Sequence, residues 1–199
     1  MSARIRLATV ADAAAMQAIY EPYVRETAVS FETRPPSVAE FERRIADVLQ
    51  RYPWLVCVDA LDEVAGYVYA SRHHERAAFA WSVDLAVYVA QPVQHSGVGR
   101  ALYTSLVALL RLQGYYNAYA GITLPNDASV GLHRAVGFEP VGVMEHVGYK
   151  LGAWHAVSYW ALELQPRIGA PAPPLSLEEA QRDPRWAGAM AAGEGLLKL

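Results

Sequence analysis

Cysteine is almost missing from this 199-residue chain: Cys57 is the only one. A single thiol excludes an internal disulfide framework and any zinc site built on a cysteine cluster. Long apolar runs are missing too. Even Leu102–Leu110 is short and carries Tyr103, Thr104 and Ser105, so no stretch reaches membrane-spanning length. The opening residues, Met1-Ser2-Ala3-Arg4-Ile5-Arg6, have no apolar signal core. No long basic run occurs, and 17 basic against 20 acidic residues leave a net charge of -3, which disfavours a nucleic-acid backbone as main partner. There is no internal repeat. What the chain does have is core material. Hydrophobic residues make up 53% and charged residues 19%, which excludes a disordered chain and suits one globular domain with a short appendage. The expectation is a soluble, cytoplasmic protein without a membrane partner.

The patterning predicts alternating strands and helices. Residues 4–8 alternate like a half-buried strand. Thr9-Val10-Ala11-Asp12 and Ser37-Val38-Ala39-Glu40 read as capping boxes opening two helices, with Pro35-Pro36 as a break between them. Residues 54–59 and 64–70 read as a hairpin, and 79–89 as one long strand with Val83, Leu85, Val87 and Val89 on one face. A helix from about Gly97 to Gln113 follows, then a strand at 115–123, a helix at 126–136 and a closing strand pair at 138–147 and 154–164. The composition shifts after Leu164. Pro166, Pro171, Pro173 and Pro174 make a stiff linker, and Ser176 starts a short last helix. The domain reading is therefore 1–164 for the body and 165–199 for a Pro-rich linker with a helical extension. That extension is expected to pack on the surface or on a partner subunit, or to stay partly disordered.

Three features carry chemistry. Gln94-His95-Ser96-Gly97-Val98-Gly99-Arg100 sits between a strand and a helix. Its glycines let the backbone curl so that several N–H groups point at one spot on a helix N-terminus, a cradle for phosphate or pyrophosphate. Arg100 can add a charge-assisted contact. The spacing is neither the Walker A nor the GxGxxG pattern, which disfavours ATP and NAD. Asp84 is a carboxylate in the middle of a strand, where propensity disfavours it. It is either a satisfied structural group or a functional one, and partial burial would tune it toward a general base. Asn126, Ser129 and His133 form a polar stripe at i, i+3, i+7, facing solvent or a ligand. Arg76 could pair with a small carboxylate or sit solvated at a rim. His73-His74 is not read as a metal site: adjacent strand residues face opposite ways and no ligand cluster joins them.

Together these marks resemble the GNAT superfamily of N-acetyltransferases, in particular its phosphinothricin and methionine-sulfoximine acetyltransferase branch. The resemblance covers roughly residues 3–164. The branch marks are Val29-Ser30-Phe31-Glu32-Thr33, Arg51-Tyr52-Pro53-Trp54-Leu55-Val56, Val87-Tyr88-Val89, Leu124-Pro125-Asn126-Asp127, Ser129-Val130, Leu132-His133, Gly137-Phe138 and Gly148-Tyr149-Lys150-Leu151-Gly152-Ala153-Trp154-His155. The resemblance implies an α/β (α+β) fold: a mixed, mostly antiparallel sheet of about seven strands, splayed after the fourth, with helices on both faces. It implies acetyl-CoA as cosubstrate. The residues toward it would be Val87, Tyr88 and Val89 along the pantetheine arm, the Gln94–Arg100 loop (Gln94, His95, Ser96, Gly97, Val98, Gly99, Arg100) at the pyrophosphate, and Asn126 and Ser129.

By the same resemblance Asp84 stands where the branch usually carries a glutamate proposed as base, one methylene longer. His133 stands where many members carry a tyrosine near the cofactor sulfur. Phe31, Thr33 and Arg76 would line the amino-acid pocket. The implied reaction is direct transfer of acetyl to the α-amine of a small amino acid or analogue, in a homodimer serving detoxification. The alternatives are another amine (a polyamine, a peptide N-terminus or an aminoglycoside) or a non-catalytic acyl-CoA-binding sensory module.

Overall fold

The structure is a computed structural model describing residues 3–199. In chain order its elements are β1 (Arg4–Leu7), α1 (Ala13–Arg25), α2 (Val38–Leu49), β2 (Trp54–Val58), β3 (Val64–Arg72), β4 (Ser82–Val89), α3 (Val98–Gln113), β5 (Asn117–Leu124), α4 (Asp127–Val136), β6 (Glu139–Lys150), β7 (Ala153–Glu163), α5 (Leu177–Gln181) and α6 (Trp186–Ala191). The strands form one seven-stranded sheet in the order β1-β2-β3-β4-β5-β7-β6. All neighbours are antiparallel except β4 and β5.

β2 shows why the sheet is covered on both faces. All five of its residues are buried. Leu55 and Cys57 join a core with Leu102, Leu106 and Leu109 of α3. Trp54, Val56 and Val58 join a second core with Met16 and Tyr20 of α1 and Phe41 and Ile45 of α2. Side chains alternate across a strand, so a continuous apolar run needs helices on both sides. The two helix starts form as the capping residues dictate. Asp12 accepts the Thr9 amide at 2.7 Å and pairs with Arg6 at 2.7 Å. Ser37 accepts the Glu40 amide, while the Glu40 carboxylate turns to Arg44 rather than closing a second box.

The long strand expected over 79–89 is shorter. Residues 77–79 make a 3-10 turn and β4 starts at Ser82. The Trp81 carbonyl accepts both the Tyr116 and Asn117 amides, which turns the chain into the sheet only at that point. Phe79, at the start of the expected strand, lies in the turn against His73 and His74. The first closing strand runs longer than expected, to Lys150, and the second, from Ala153 to Glu163, keeps its expected length one residue earlier; Leu151 and Gly152 at positive φ join them.

The extension packs on its own chain. Trp186, Ala189, Met190, Leu196 and Leu197 rest against the α3 core. The Gly193 amide donates to Ser105 Oγ at 3.0 Å, and Glu194 accepts the Ile5 amide at 2.8 Å. Among the described residues no helix is long and apolar enough to cross a membrane, and no group of His, Cys, Asp or Glu is arranged to hold a metal ion.

Candidate active site

β4 and β5 pair over Ser82–Asp84 and Asn117–Tyr119 and then part. Beyond that point β4 stays with β3 as far as Val89, and β5 stays with β7 as far as Leu124. A parallel pair that separates leaves two backbone edges facing each other with no strand between. The opening is a cleft of about 540 Å³, walled by Val87, Tyr88 and Val89 on one side and Asn126, Ser129 and Leu132 on the other. The loop before α3 closes its outer end.

That loop is shaped as its sequence requires. His95 has φ +65° and Gly97 φ +86°, both left-handed, so the chain curls into the helix within a few residues. The first intrahelical bond of α3 runs from the Ala101 amide to the Gly97 carbonyl. The amides of Val98, Gly99 and Arg100 therefore precede the ladder, and they gather at the positive end of a 16-residue helix. Gln94, His95, Gly97, Val98, Gly99 and Arg100 all line the cleft. Ser96 does not: its hydroxyl donates to the Val93 carbonyl at 2.5 Å and its carbonyl accepts the Lys198 amide at 2.9 Å. A Cβ on Gly99 would sit 3.0 Å from Leu132, and one on Gly97 would sit 2.2 Å from the Leu196 carbonyl oxygen. The loop is thus held between α4 and the C-terminal extension.

Tyr23 of α1, which sequence reasoning does not single out as a site residue, belongs to this site. Its hydroxyl donates to the Val89 carbonyl at 2.7 Å and accepts from Gln94 at 3.0 Å, tying helix, strand and loop together at the cleft wall. Asn126 caps α4: its side-chain oxygen accepts the Ser129 amide at 3.0 Å. Asn126 and Ser129 both line the cleft.

A chamber of about 60 Å³ lies deeper between the splayed strands, bordered by Val87, Ile122, Asn126 and His133. His133 is 3% exposed rather than solvated. Its Nδ1 lies 2.7 Å from the Ser129 carbonyl and its Nε2 2.9 Å from the Tyr103 hydroxyl. A carbonyl can only accept, so Nδ1 carries the proton and Nε2 accepts from Tyr103. Burial pushes the His133 pKa down, against a smaller upward pull from Ser129. Both ring nitrogens are therefore engaged, and the ring is neutral.

Asp84 stands at the apex, in the last bridge pair before the strands part. It is not buried: its side chain is 45% exposed. His73, just beyond the end of β3, places Nδ1 2.7 Å from its Oδ1. Arg76 is exposed in the same β3–β4 segment, on the turn that replaces the expected strand start. Phe31 packs over the β6–β7 hairpin, so close to Gly148 that a Cβ there would meet its ring at 2.2 Å, and near His155. Thr33 is exposed; its neighbour Glu32 turns inward to Arg44 and Tyr20. Neither Phe31 nor Thr33 walls the cleft, but Val29 of the same loop borders both the cleft and the chamber. Lys150 is buried under this loop, with Nζ donating to the Ser30 carbonyl at 2.6 Å. Burial pushes its pKa down, against a smaller upward pull from Glu32. Cys57 is far from useful chemistry: burial first, then Glu194 and Asp59, push its thiol up to about 11.

Comparison with known proteins agrees with this geometry. Residues 5–157 match the acetyltransferase (GNAT) domain. Phosphinothricin N-acetyltransferase of Streptomyces viridochromogenes is 39% identical over 170 residues, 85% of this chain and 90% of that protein. The L-methionine sulfoximine/L-methionine sulfone acetyltransferase of Pseudomonas aeruginosa is 37% identical over 175 residues, 86% of this chain and 100% of that protein. A phosphinothricin acetyltransferase from Sinorhizobium meliloti, solved in complex with acetyl-CoA, superposes with a TM-score of 0.81 at 30% identity, covering 89% of this chain and 99% of that one. The chain belongs to the GNAT family of acetyltransferases, in the branch of the phosphinothricin and methionine-sulfoximine enzymes.

Proposed function

We propose that the protein transfers acetyl from acetyl-CoA to the α-amine of a small amino acid or amino-acid analogue of the phosphinothricin, methionine sulfoximine or methionine sulfone type. One observation carries the reading. The cleft between the parted strands starts at unpaired helix-start amides, a small chamber adjoins it toward the point where β4 and β5 separate, and Asp84 stands in the last paired position before that point.

The fit to acetyl-CoA is chemical. The Val98, Gly99 and Arg100 amides with the α3 dipole suit a pyrophosphate. The open edge of β4 at Val87–Val89 offers backbone groups in the spacing an extended pantetheine amide chain needs, while Asn126 and Ser129 face it from α4. Acetyl-CoA supplies the activated acyl group. The protein orients it, and an edge N–H of β4 polarises the thioester carbonyl.

The acceptor enters from the α1–α2 side, onto which Asp84 faces. Its carboxylate is met by Arg76 at the mouth, and Phe31 and Thr33 shape the loop above it. The amine arrives as an ammonium and cannot attack until a proton leaves toward Asp84, directly or through a water. Its nitrogen then forms the C–N bond as the C–S bond breaks, and the second N–H proton reaches the departing thiolate. His133, with both ring nitrogens engaged, holds Tyr103 in the chamber wall and gives no proton to the thiolate.

Asp84→Asn tests this. Turnover should fall by a factor on the order of 10²–10⁴, with acetyl-CoA affinity by calorimetry unchanged. Unchanged turnover would sink the role of Asp84; binding without any turnover in the wild type would favour a sensory module.

The reading extends to a cytoplasmic homodimer in detoxification. Acetylation removes the ammonium charge by which an amino-acid site would recognise the analogue. Self-association is supported by β6, an edge strand exposing Val141, Val143, Met144, Val147 and Tyr149. A long apolar edge is normally covered.

A further inference from the structure

The Asp84 carboxylate does not meet the acceptor side alone. One of its oxygens is taken by the imidazole of His73, 2.7 Å away. That ring is fixed on three sides. Asp84 holds Nδ1, the Tyr119 ring stacks on it at 4.5 Å and 25°, and Phe79 leans on it at 5.8 Å. Tyr119 and Asp84 are themselves bridge partners, in the last pair before the strands part. The imidazole therefore stands over the apex of the cleft. A carboxylate only accepts, so Nδ1 carries a proton, and Nε2 has no hydrogen-bond partner among the described residues. The side chain is 30% exposed, so a substrate or water can reach it.

We propose that His73 is the proton acceptor of the reaction, through Nε2, and that Asp84 acts behind it as the positioning residue that fixes the tautomer and balances the imidazolium. This rests on the acetyl-transfer reading above and refines where the first proton goes. The acceptor ammonium's N–H bond breaks and an Nε2–H bond forms. The freed amine adds to the thioester carbonyl, and the C–S bond breaks. The second amine proton passes to the thiolate, giving CoA thiol, and His73 returns its proton to water.

Chemistry favours the imidazole over the carboxylate. A general base works best when its proton affinity approaches that of the donor, and as a class an imidazole lies nearer an amine in this respect than a carboxylate does. The same carboxylate–imidazole pairing, with the far nitrogen free, serves as base in unrelated acyl-transfer sites. The titratable groups facing the pair are Tyr69 on β3 and Tyr119 on β5, with His74, Glu75 and Arg76 on His73's own segment. Among the described residues no Lys or Arg pairs with Asp84.

The test is the pH dependence of kcat/KM for the full chain with methionine sulfone and acetyl-CoA, comparing wild type with His73→Gln, His73→Ala and Asp84→Asn. The wild type should lose activity on the acid side as His73 protonates. His73→Gln should lower kcat by a factor of about 10² or more, leave the KM for acetyl-CoA unchanged and abolish that acid limb. Asp84→Asn should lower kcat while the acid limb remains. Added imidazole should restore part of the rate to His73→Ala, a readout that a merely structural role would not give. Wild-type turnover with His73→Gln within twofold, or with the same acid limb in the variant, overturns the assignment alone. No wild-type turnover with any amine overturns the acetyl-transfer reading and this assignment with it.

Discussion

Single residues decide whether this cleft is chemical or only a groove. Asp84 is legible in the sequence because a lone carboxylate in an apolar strand needs a reason. The His73–Asp84 contact is not, since it depends on the chain after β3 bringing the ring to Asp84, and in sequence the adjacent His73-His74 pair is only weighed and rejected as a metal site. His133 looks like a solvated stripe member in sequence, yet it is buried between Ser129 and Tyr103. Its depressed pKa has a consequence. Below its ordinary value of 6.5 the unfolded chain binds a proton that the folded chain refuses, so stability is present above 6.5 and is lost as pH falls. We expect urea midpoints to drop between about pH 7.5 and 5.5, and His133→Gln to flatten that drop relative to wild type. An unchanged slope would mean that other groups cause it.

At the scale of elements, the loop before α3 owes its shape to more than its glycines. It lies between α4 and residues 193–198, which bond to Ile5, Ser96 and Ser105. Sequence reading finds the Pro-rich boundary and the Ser176 cap, but not where the extension lands. Composition carries no long-range partner, and a small-residue tail offers few periodic positions. Gly193 is the sharp point of contact: a Cβ there would come within 1.9 Å of the Ala101 carbonyl oxygen. Gly193→Ala should destabilise the chain by about 1–3 kcal/mol through overpacking. It should also lift the tail from the loop. The expected result is a higher KM for acetyl-CoA with kcat nearly unchanged. An unchanged KM would show that the loop holds its form unaided.

Over the whole molecule, the two-sided core follows from patterns visible in the sequence: alternating apolar faces in the strands and apolar stripes in α1, α2 and α3. The strand order does not, and the splay enters only through the family resemblance. It depends on where β4 and β5 stop pairing, a non-local event fixed by which residues their neighbours β3 and β7 claim. The exposed apolar edge of β6 is the surface proposed for self-association. Light scattering should give twice the chain mass, and Val143→Lys on that edge should give the single chain. A wild-type monomer would contradict the dimer.

The most direct measurement is release of free CoA thiol from acetyl-CoA against a panel of amines. The panel is phosphinothricin, methionine sulfoximine, methionine sulfone, the common amino acids, spermidine and a short peptide. The account predicts turnover with at least one of the first three and none with spermidine or the peptide. Turnover confined to spermidine or the peptide would contradict the substrate reading, and acetyl-CoA binding without turnover across the panel would contradict the catalytic one.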